Sequence, residues 1–231
     1  IDPADTRTVR HPPYLHEIKE VELAIGGAGI AVGIVKSKKS YLRPHVGIRC
    51  LNRSRNLIAT METAETILHY WFGTDAADAA IIREKSTLWW KKNPKVDEEI
   101  RWRFAPLLAQ ETRGVLESWS TNPRGHLARI LLCDQFPRNI YRGKPESFMY
   151  DARARQLARA ALDRGLVRPL RPVERVFVYL PFEHSEDGRD QALSVRQFTA
   201  LHDGVSPDLK QPFQNFLDFA KKHREIIGRF G

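Results

Sequence analysis

From Met61 onward, prolines, glycines and capping residues are spaced as helix starts and stops, with little that reads as a strand. Asn122-Pro123 is the sharpest of these signals. An Asn side chain can accept from the free N–H groups of a helix start, and a proline just inside loses only an N–H that would be unpaired anyway. That pair opens a helix expected to end near Asp134. Upstream, Glu62 to Phe72 carries apolar residues at helical spacing and stops at Gly73. Residues 76–90 continue the pattern. Asp97, Glu98 and Glu99 lie on the first turn of a helix reaching Trp119, where acids suit the helix dipole, and Pro106 is expected to kink it. Pro145 opens a helix ending near Gly165, Pro172 opens a shorter one that Pro181 ends, and residues 189–202 and 208–229 form the last two. About eight helices on short loops predict an all-α fold of antiparallel helical hairpins. No repeat consensus of about 34 residues is visible. Five Trp and eleven Phe can hold such a stack together, each worth about 1.5–3 kcal/mol when buried.

A chain of 231 residues, 42% apolar and 28% charged, has the balance of a globular protein of one or two domains. No window approaches the roughly 20 apolar residues of a membrane span. Cys50 and Cys133 share no metal-ligand spacing, and Cys133 sits in an apolar helical run as a small buried hydrophobe would. A reducing, cytoplasmic setting is the corresponding expectation.

The net charge of +9 is uneven. Residues 1–60 hold ten Lys/Arg against five Asp/Glu and contain no Trp or Phe. They include a Gly-rich apolar run from Ala24 to Val35, then seven Lys/Arg and no acid between Lys36 and Arg55. Gly27, Gly29 and Gly33 resemble a phosphate-cradling turn. A dinucleotide fold, however, also needs a following helix and an acid about 20 residues on, and no Asp or Glu occurs between Leu23 and Met61. A secretory signal would carry its positive charges ahead of the apolar run, not behind it. The basic 36–55 segment could touch nucleic acid weakly, but it lacks interleaved aromatics. Residues 1–60 are therefore expected to be a disordered or non-native extension, with the helical domain at 61–231.

Two polar segments interrupt the helical pattern. In the first, Leu131 to Arg142, an apolar helix runs into Asp134-Gln135, meets Pro137 and presents Arg138, Asn139 and Arg142. Arg138 or Asn139 could simply satisfy the helix's last carbonyls. Alternatively Arg138 and Arg142 offer donors to an anionic ligand. The second segment, Pro181 to Asp187, contains Glu183, His184, Ser185 and Glu186. A histidine beside carboxylates can act as an acid or base, with Glu186 and Asp134 as further catalytic candidates. Against that, Ser185 or Asp187 could only cap the next helix. Metal-ligand spacing is absent, so no metal or cofactor is expected. His223 lies between Phe219 and Ile226 on an amphipathic helix, where a hydrogen-bonded core role competes with a ligand role. His69 invites the same reading. Trp89-Trp90 followed by Lys91-Lys92 suits either a stacking wall or core with a solvated basic end.

Taken in order, His69-Tyr-Trp-Phe-Gly73, Trp89-Trp90, Leu131 to Gly143, Leu180 to Asp187 with Gln191, and Ala220 to Gly231 resemble the landmarks of the DUF924 family from about Met61 on. The resemblance implies a fold similar to stacked, tetratricopeptide-like helical hairpins and carries no established activity. The family's landmark polar residues fall on Asp134, Gln135, Arg138, Asn139, Glu183, His184, Ser185, Glu186 and His223. Gly188 stands where the family has an apolar residue. The chain stops at Arg229-Phe-Gly231 where the family pattern continues, so a tail that could close the polar site is expected to be cut short.

These readings combine into a helical domain with a polar ligand-binding pocket. Asp134, Gln135, Arg138, Asn139, Arg142, Glu183, His184, Ser185, Glu186 and His223 are its candidate residues, with Trp71 or Trp90 as an aromatic wall. The expected partner is a small anionic or polar ligand, or else a peptide on a helical scaffold, with no membrane. A hydrolase or isomerase using His184 is the third reading.

Overall fold

Helix α1 (Ala64–Phe72) begins where Thr63 and Thr66 cap each other's backbone and ends at Gly73, whose φ of +80° favours glycine. A computed structural model of the protein describes residues 62–74 and 77–230. The extension expected at 1–60, the basic 36–55 segment and Cys50 lie outside the described residues.

The described chain continues through α2 (Asp78–Trp90), α3 (Pro94–Thr112), α4 (Pro123–Asp134), the five-residue α5 (Phe136–Ile140), α6 (Asp151–Asp163), α7 (Pro172–Glu183), α8 (Gly188–Gly204) and α9 (Lys210–Phe230). Three short 3-10 turns, Glu117–Thr121, Pro145–Phe148 and Pro207–Leu209, complete the set. Among the described residues there are no strands, so the fold is all-α. None of the described helices is long and apolar enough to cross a membrane.

Asn122 caps α4 as its sequence predicts, accepting from the Gly125 N–H at 2.8 Å with Pro123 next in line. Asn93-Pro94 repeats the device at α3. Three expected boundaries differ. The helix at Asp97 ends at Thr112, and Trp119 belongs to a separate 3-10 turn. The helix expected from Pro145 is a 3-10 turn followed by α6. Pro181 lies inside α7 and does not end it. A proline costs its helix one hydrogen bond. Here burial of every residue from Val176 to Glu183 carries the helix past that loss, and the His184 N–H still closes onto the Leu180 carbonyl.

Helix α4 is the centre. From Gly125 to Asp134 every residue is buried, and α1, α3, α5, α6, α7 and the Glu117–Thr121 turn all pack on it. An aromatic cluster of Trp71, Phe72, Trp89, Phe104, Phe136 and Phe177, with ring centroids about 5–6 Å apart, fills the space between α1, α2, α3, α5 and α7. The Trp89 indole donates to the Trp71 carbonyl at 3.0 Å, holding α2 to α1. At its other end Asp78 accepts from the Val173 N–H at 3.1 Å, placing a carboxylate on the start of α7. Helix α8 packs on both α7 and α9, across connections of four and five residues, so these pairs run antiparallel. Lys210, at the head of α9, donates to the last carbonyls of α8 through His202 and Asp203. These ties set α2, α7, α8 and α9 around a common space.

The approach of α4 to the Glu117–Thr121 turn depends on Gly125, because a Cβ there would meet the Trp119 carbonyl oxygen at 2.2 Å. Gly125→Ala is expected to cost about 1–3 kcal/mol and lower the melting temperature by several degrees. Gly188→Ala, at a position open to solvent, should be neutral or stabilising by up to about 1 kcal/mol. Thermal unfolding of the two variants checks the contrast, and equal effects would refute the close approach.

Candidate functional site

The two polar segments, fifty residues apart, meet. His184 is the C-cap of α7, and its Nδ1 lies 2.8 Å from Oδ1 of Asp134 at the end of α4. Asp134 is fully buried, which by itself pushes its carboxyl up. Attraction and hydrogen bonding from His184, the Arg138 charge at 3.7 Å and a 2.5 Å hydrogen bond from Gln135 Nε2 outweigh burial and hold it below the usual carboxylate range. An ionised carboxylate only accepts, so His184 Nδ1 carries the proton. Nε2 is left without a hydrogen-bond partner among the described residues.

A second carboxylate–imidazole pair stands beside the first. His223 Nδ1 on α9 lies 3.0 Å from Oε1 of the buried Glu183 and 3.0 Å from the Phe219 carbonyl, so one N–H is shared between two acceptors. Donation to the Glu183 carboxylate raises the His223 pKa above its ordinary value against the opposing effect of burial.

Both imidazoles open onto a cavity of about 580 Å³ between α2, α7, α8 and α9. Its remaining walls are chiefly apolar: Ile82, Trp90, Leu180, Phe198, Phe216 and Phe219. Trp90 is 48% exposed at the rim, its ring stacked parallel to Phe177 behind it. Ser86, Pro212 and Asn215 complete the lining.

Of the residues singled out in the sequence, Glu183, His184, His223 and Trp90 face this cavity. Asp134 lies behind His184, and Gln135 behind Asp134. Arg138 pairs with Asp151 at 3.2 Å as well as with Asp134. Burial raises the Asp151 carboxyl in spite of that partner. Asn139 and Arg142 both turn to Asp97 on α3, Arg142 through two bonds of 2.6 and 2.8 Å. Neither side chain of Arg138 and Asn139 bonds to a carbonyl at the end of α4, where the Gln135 N–H closes onto the Leu131 carbonyl and the chain continues into α5. Ser185 and Asp187 hold the turn into α8: Asp187 caps it, while Ser185 donates to Asp190 and accepts from the Asp187 N–H. Glu186 is exposed, and Trp71 sits in the aromatic core. Among the described residues no three His, Cys, Asp or Glu side chains converge as metal ligands would.

The sequence reading left out Phe216, Leu180 and Ser86. Phe216, Phe219 and His223 do share one face of α9 by their spacing of three and four residues, which is the signal that could have found the apolar wall.

The raised pKa of His223 sets a pH window. A group whose pKa is higher folded than unfolded stabilises fully below its unfolded value, and that contribution disappears as pH rises through the folded value. Wild type is therefore expected to lose, as pH rises above about 6.5, an increment of melting temperature that His223→Gln lacks. Thermal unfolding of both proteins across that range checks it, and parallel curves would refute the Glu183–His223 coupling.

Comparison with known proteins places the chain in company that is itself uncharacterised. No curated protein matches it. The family described as "Bacterial protein of unknown function (DUF924)" matches residues 67–231. A solved structure from Agrobacterium tumefaciens, the protein of unknown function ATU0120, is similar at 31% identity with a TM-score of 0.59. That match covers 73% of this chain and 84% of the other. The chain belongs to the DUF924 family.

Proposed function

We propose that the cavity between α2, α7, α8 and α9 binds a small organic molecule with an apolar, preferably aromatic, body and a polar head. The observation that carries this reading is the division of the walls. Trp90, Leu180, Phe198, Phe216 and Phe219 surround a space whose ionisable groups, Glu183, His184 and His223, are the only charged or titratable side chains among its lining residues. A volume of about 580 Å³ is within the ordinary range for ligand pockets, and a few convergent polar groups in an apolar cleft are what such pockets use for orientation. The head group would meet imidazoles and not Arg138, which is engaged by Asp134 and Asp151.

A peptide partner is the second reading. Trp90 and Phe219 are exposed at the rim, and the apolar face of α9 continues outward through the exposed Ile226 and Phe230. A peptide would draw on that outer face, whereas a small molecule would draw on the cavity floor.

The fluorescent probe 1-anilinonaphthalene-8-sulfonate, an aromatic anion, separates the two. It is expected to bind saturably at one site. Phe216→Asp should weaken it by about tenfold or more, roughly 1.4 kcal/mol, with the circular dichroism spectrum unchanged. Ile226→Asp should leave binding intact. Absence of saturable binding would remove the small-molecule reading, and loss of binding through Ile226→Asp would move the site onto the outer face of α9.

A further inference from the structure

Two imidazoles, each beside its own buried carboxylate, line one chiefly apolar cavity. A pocket that only needed to hold a polar head could do so with a single donor. From this pairing we infer that the protein is an acid–base enzyme that enolises a carbonyl compound, with His184 as the base and His223 as the acid. The inference rests on the small-molecule reading of the cavity.

The assignment of roles follows from the partners. His184 directs Nδ1–H at Asp134, which leaves the Nε2 lone pair as the ring's only proton-accepting atom, on a side chain that lines the cavity. Asp134 is a positioning residue: completely buried, it touches no ligand and orients the ring. It has other donors in Gln135 and Arg138, so it keeps partners when His184 is the neutral ring that accepts a proton. Glu183 is placed differently. Among the described residues, its carboxylate is paired with no side chain but His223, so this buried charge favours the imidazolium. A protonated His223, with Nδ1–H held by Glu183 and the Phe219 carbonyl, has its Nε2–H to donate.

In the reaction, His184 Nε2 takes a proton from the carbon next to the carbonyl. The C–H electron pair forms the C=C bond, and the former C=O π pair moves onto oxygen. That oxygen takes the proton of His223 Nε2. In the reverse sense the enol returns its O–H proton to His223, and His184 delivers a proton to the same carbon or, where the substrate is β,γ-unsaturated, to the far end of the conjugated system. No co-reactant is consumed. The first outcome exchanges the substrate's hydrogen with solvent, and the second moves a double bond. The apolar walls limit water around the carbanion-like transition state, where it would otherwise compete for the proton.

The substrate class is thus a ketone or 2-oxo acid with an aromatic body that fits between Trp90, Phe216 and Phe219. Phenylacetone and phenylpyruvate are suitable probes. With the whole chain in D₂O, NMR is expected to record deuterium entering the carbon next to the carbonyl at least 100-fold faster than with equimolar free imidazole. His184→Gln should remove this excess, while the circular dichroism spectrum stays that of the wild type. The wild-type rate should be bell-shaped in pH. His223→Gln, which keeps a donor for Glu183 but cannot titrate, should lower the rate and abolish the alkaline limb, which a purely structural histidine would not do.

No excess exchange on either probe, with dye binding intact, would overturn the enzyme assignment and leave the binding reading standing. Full exchange by His184→Gln would also overturn it.

Discussion

A helix surrounded on all sides has to find a partner for every polar group it brings inside, and α4 brings several. Burying an unpaired charge costs several kcal/mol, so the partners limit where neighbouring helices can lie. Arg129, 3% exposed, meets Glu111 of α3 through two bonds of 2.7 and 2.8 Å, and Arg153 of α6 reaches the same carboxylate. His126 is caught between the Ser120 hydroxyl and the Leu157 carbonyl. That carbonyl can only accept, so Nε2 donates to it and Nδ1 accepts from Ser120. The Ser120 oxygen in turn accepts a hydrogen bond from Arg129 Nη1. Burial, with the Arg129 charge adding to it, lowers the His126 pKa, consistent with a neutral ring in this chain of donors. Asp134 closes the series at the far end with His184, Arg138 and Gln135. Through these contacts one helix sets the register of α3, α5, α6, α7 and a 3-10 turn.

Asp134 thereby belongs to two systems. As the last buried charge of α4 it has to be satisfied, and one group that satisfies it is an imidazole on the cavity wall. The orientation of His184 follows from the packing of the core and does not depend on a mobile loop. The turn beyond it is equally well held. Gln191 Nε2 bridges the carbonyls of Glu183 and Ser185 at 2.7 and 2.6 Å, Ser185 donates to Asp190, and Arg159 from α6 pairs closely with Asp190. A site built on helix ends and supported in this way is held by packed elements and not by a loop alone.

Local chemistry was the legible part of the sequence. Asn122-Pro123 announces a helix start because the cap bond and the proline's missing N–H are settled within four residues. Pro181 misleads for the complementary reason. A proline ends an isolated helix, but α7 is enclosed by α4, α6 and α8, and that burial is not visible in its own residues. The same distinction runs through the candidate site. The density of polar residues at Asp134–Arg142 and Glu183–Asp187 was plain, and its division of labour was not. Asn139 and Arg142 answer to Asp97, more than forty residues earlier, and Arg138 answers to Asp151, so three residues that look like ligand donors hold α5 against its neighbours. The cavity's apolar wall needed α9 to lie opposite α2, a placement decided by the whole connection from α7 through α8.

The burial pattern also explains why the two histidines differ in exposure while their carboxylates do not. Asp134 and Glu183 both lie in the protein interior, at the ends of α4 and α7. His184 follows Glu183 directly, so as the chain leaves α7 its ring turns inward to the core acid, and 21% of the side chain is exposed. His223 comes from α9, beyond the last buried residue of that helix, Ala220, and reaches back to Glu183 with 42% of its side chain in solvent. Glu183 at the end of α7 and His184 just after it thus supply opposite members of the two pairs, one the carboxylate and the other the imidazole. The consequence is an asymmetric site: an imidazole anchored in the interior sits beside one that water can reprotonate. The proton transfer proposed above would need the two rings in opposite protonation states, and their different carboxylate partners are what would set them apart.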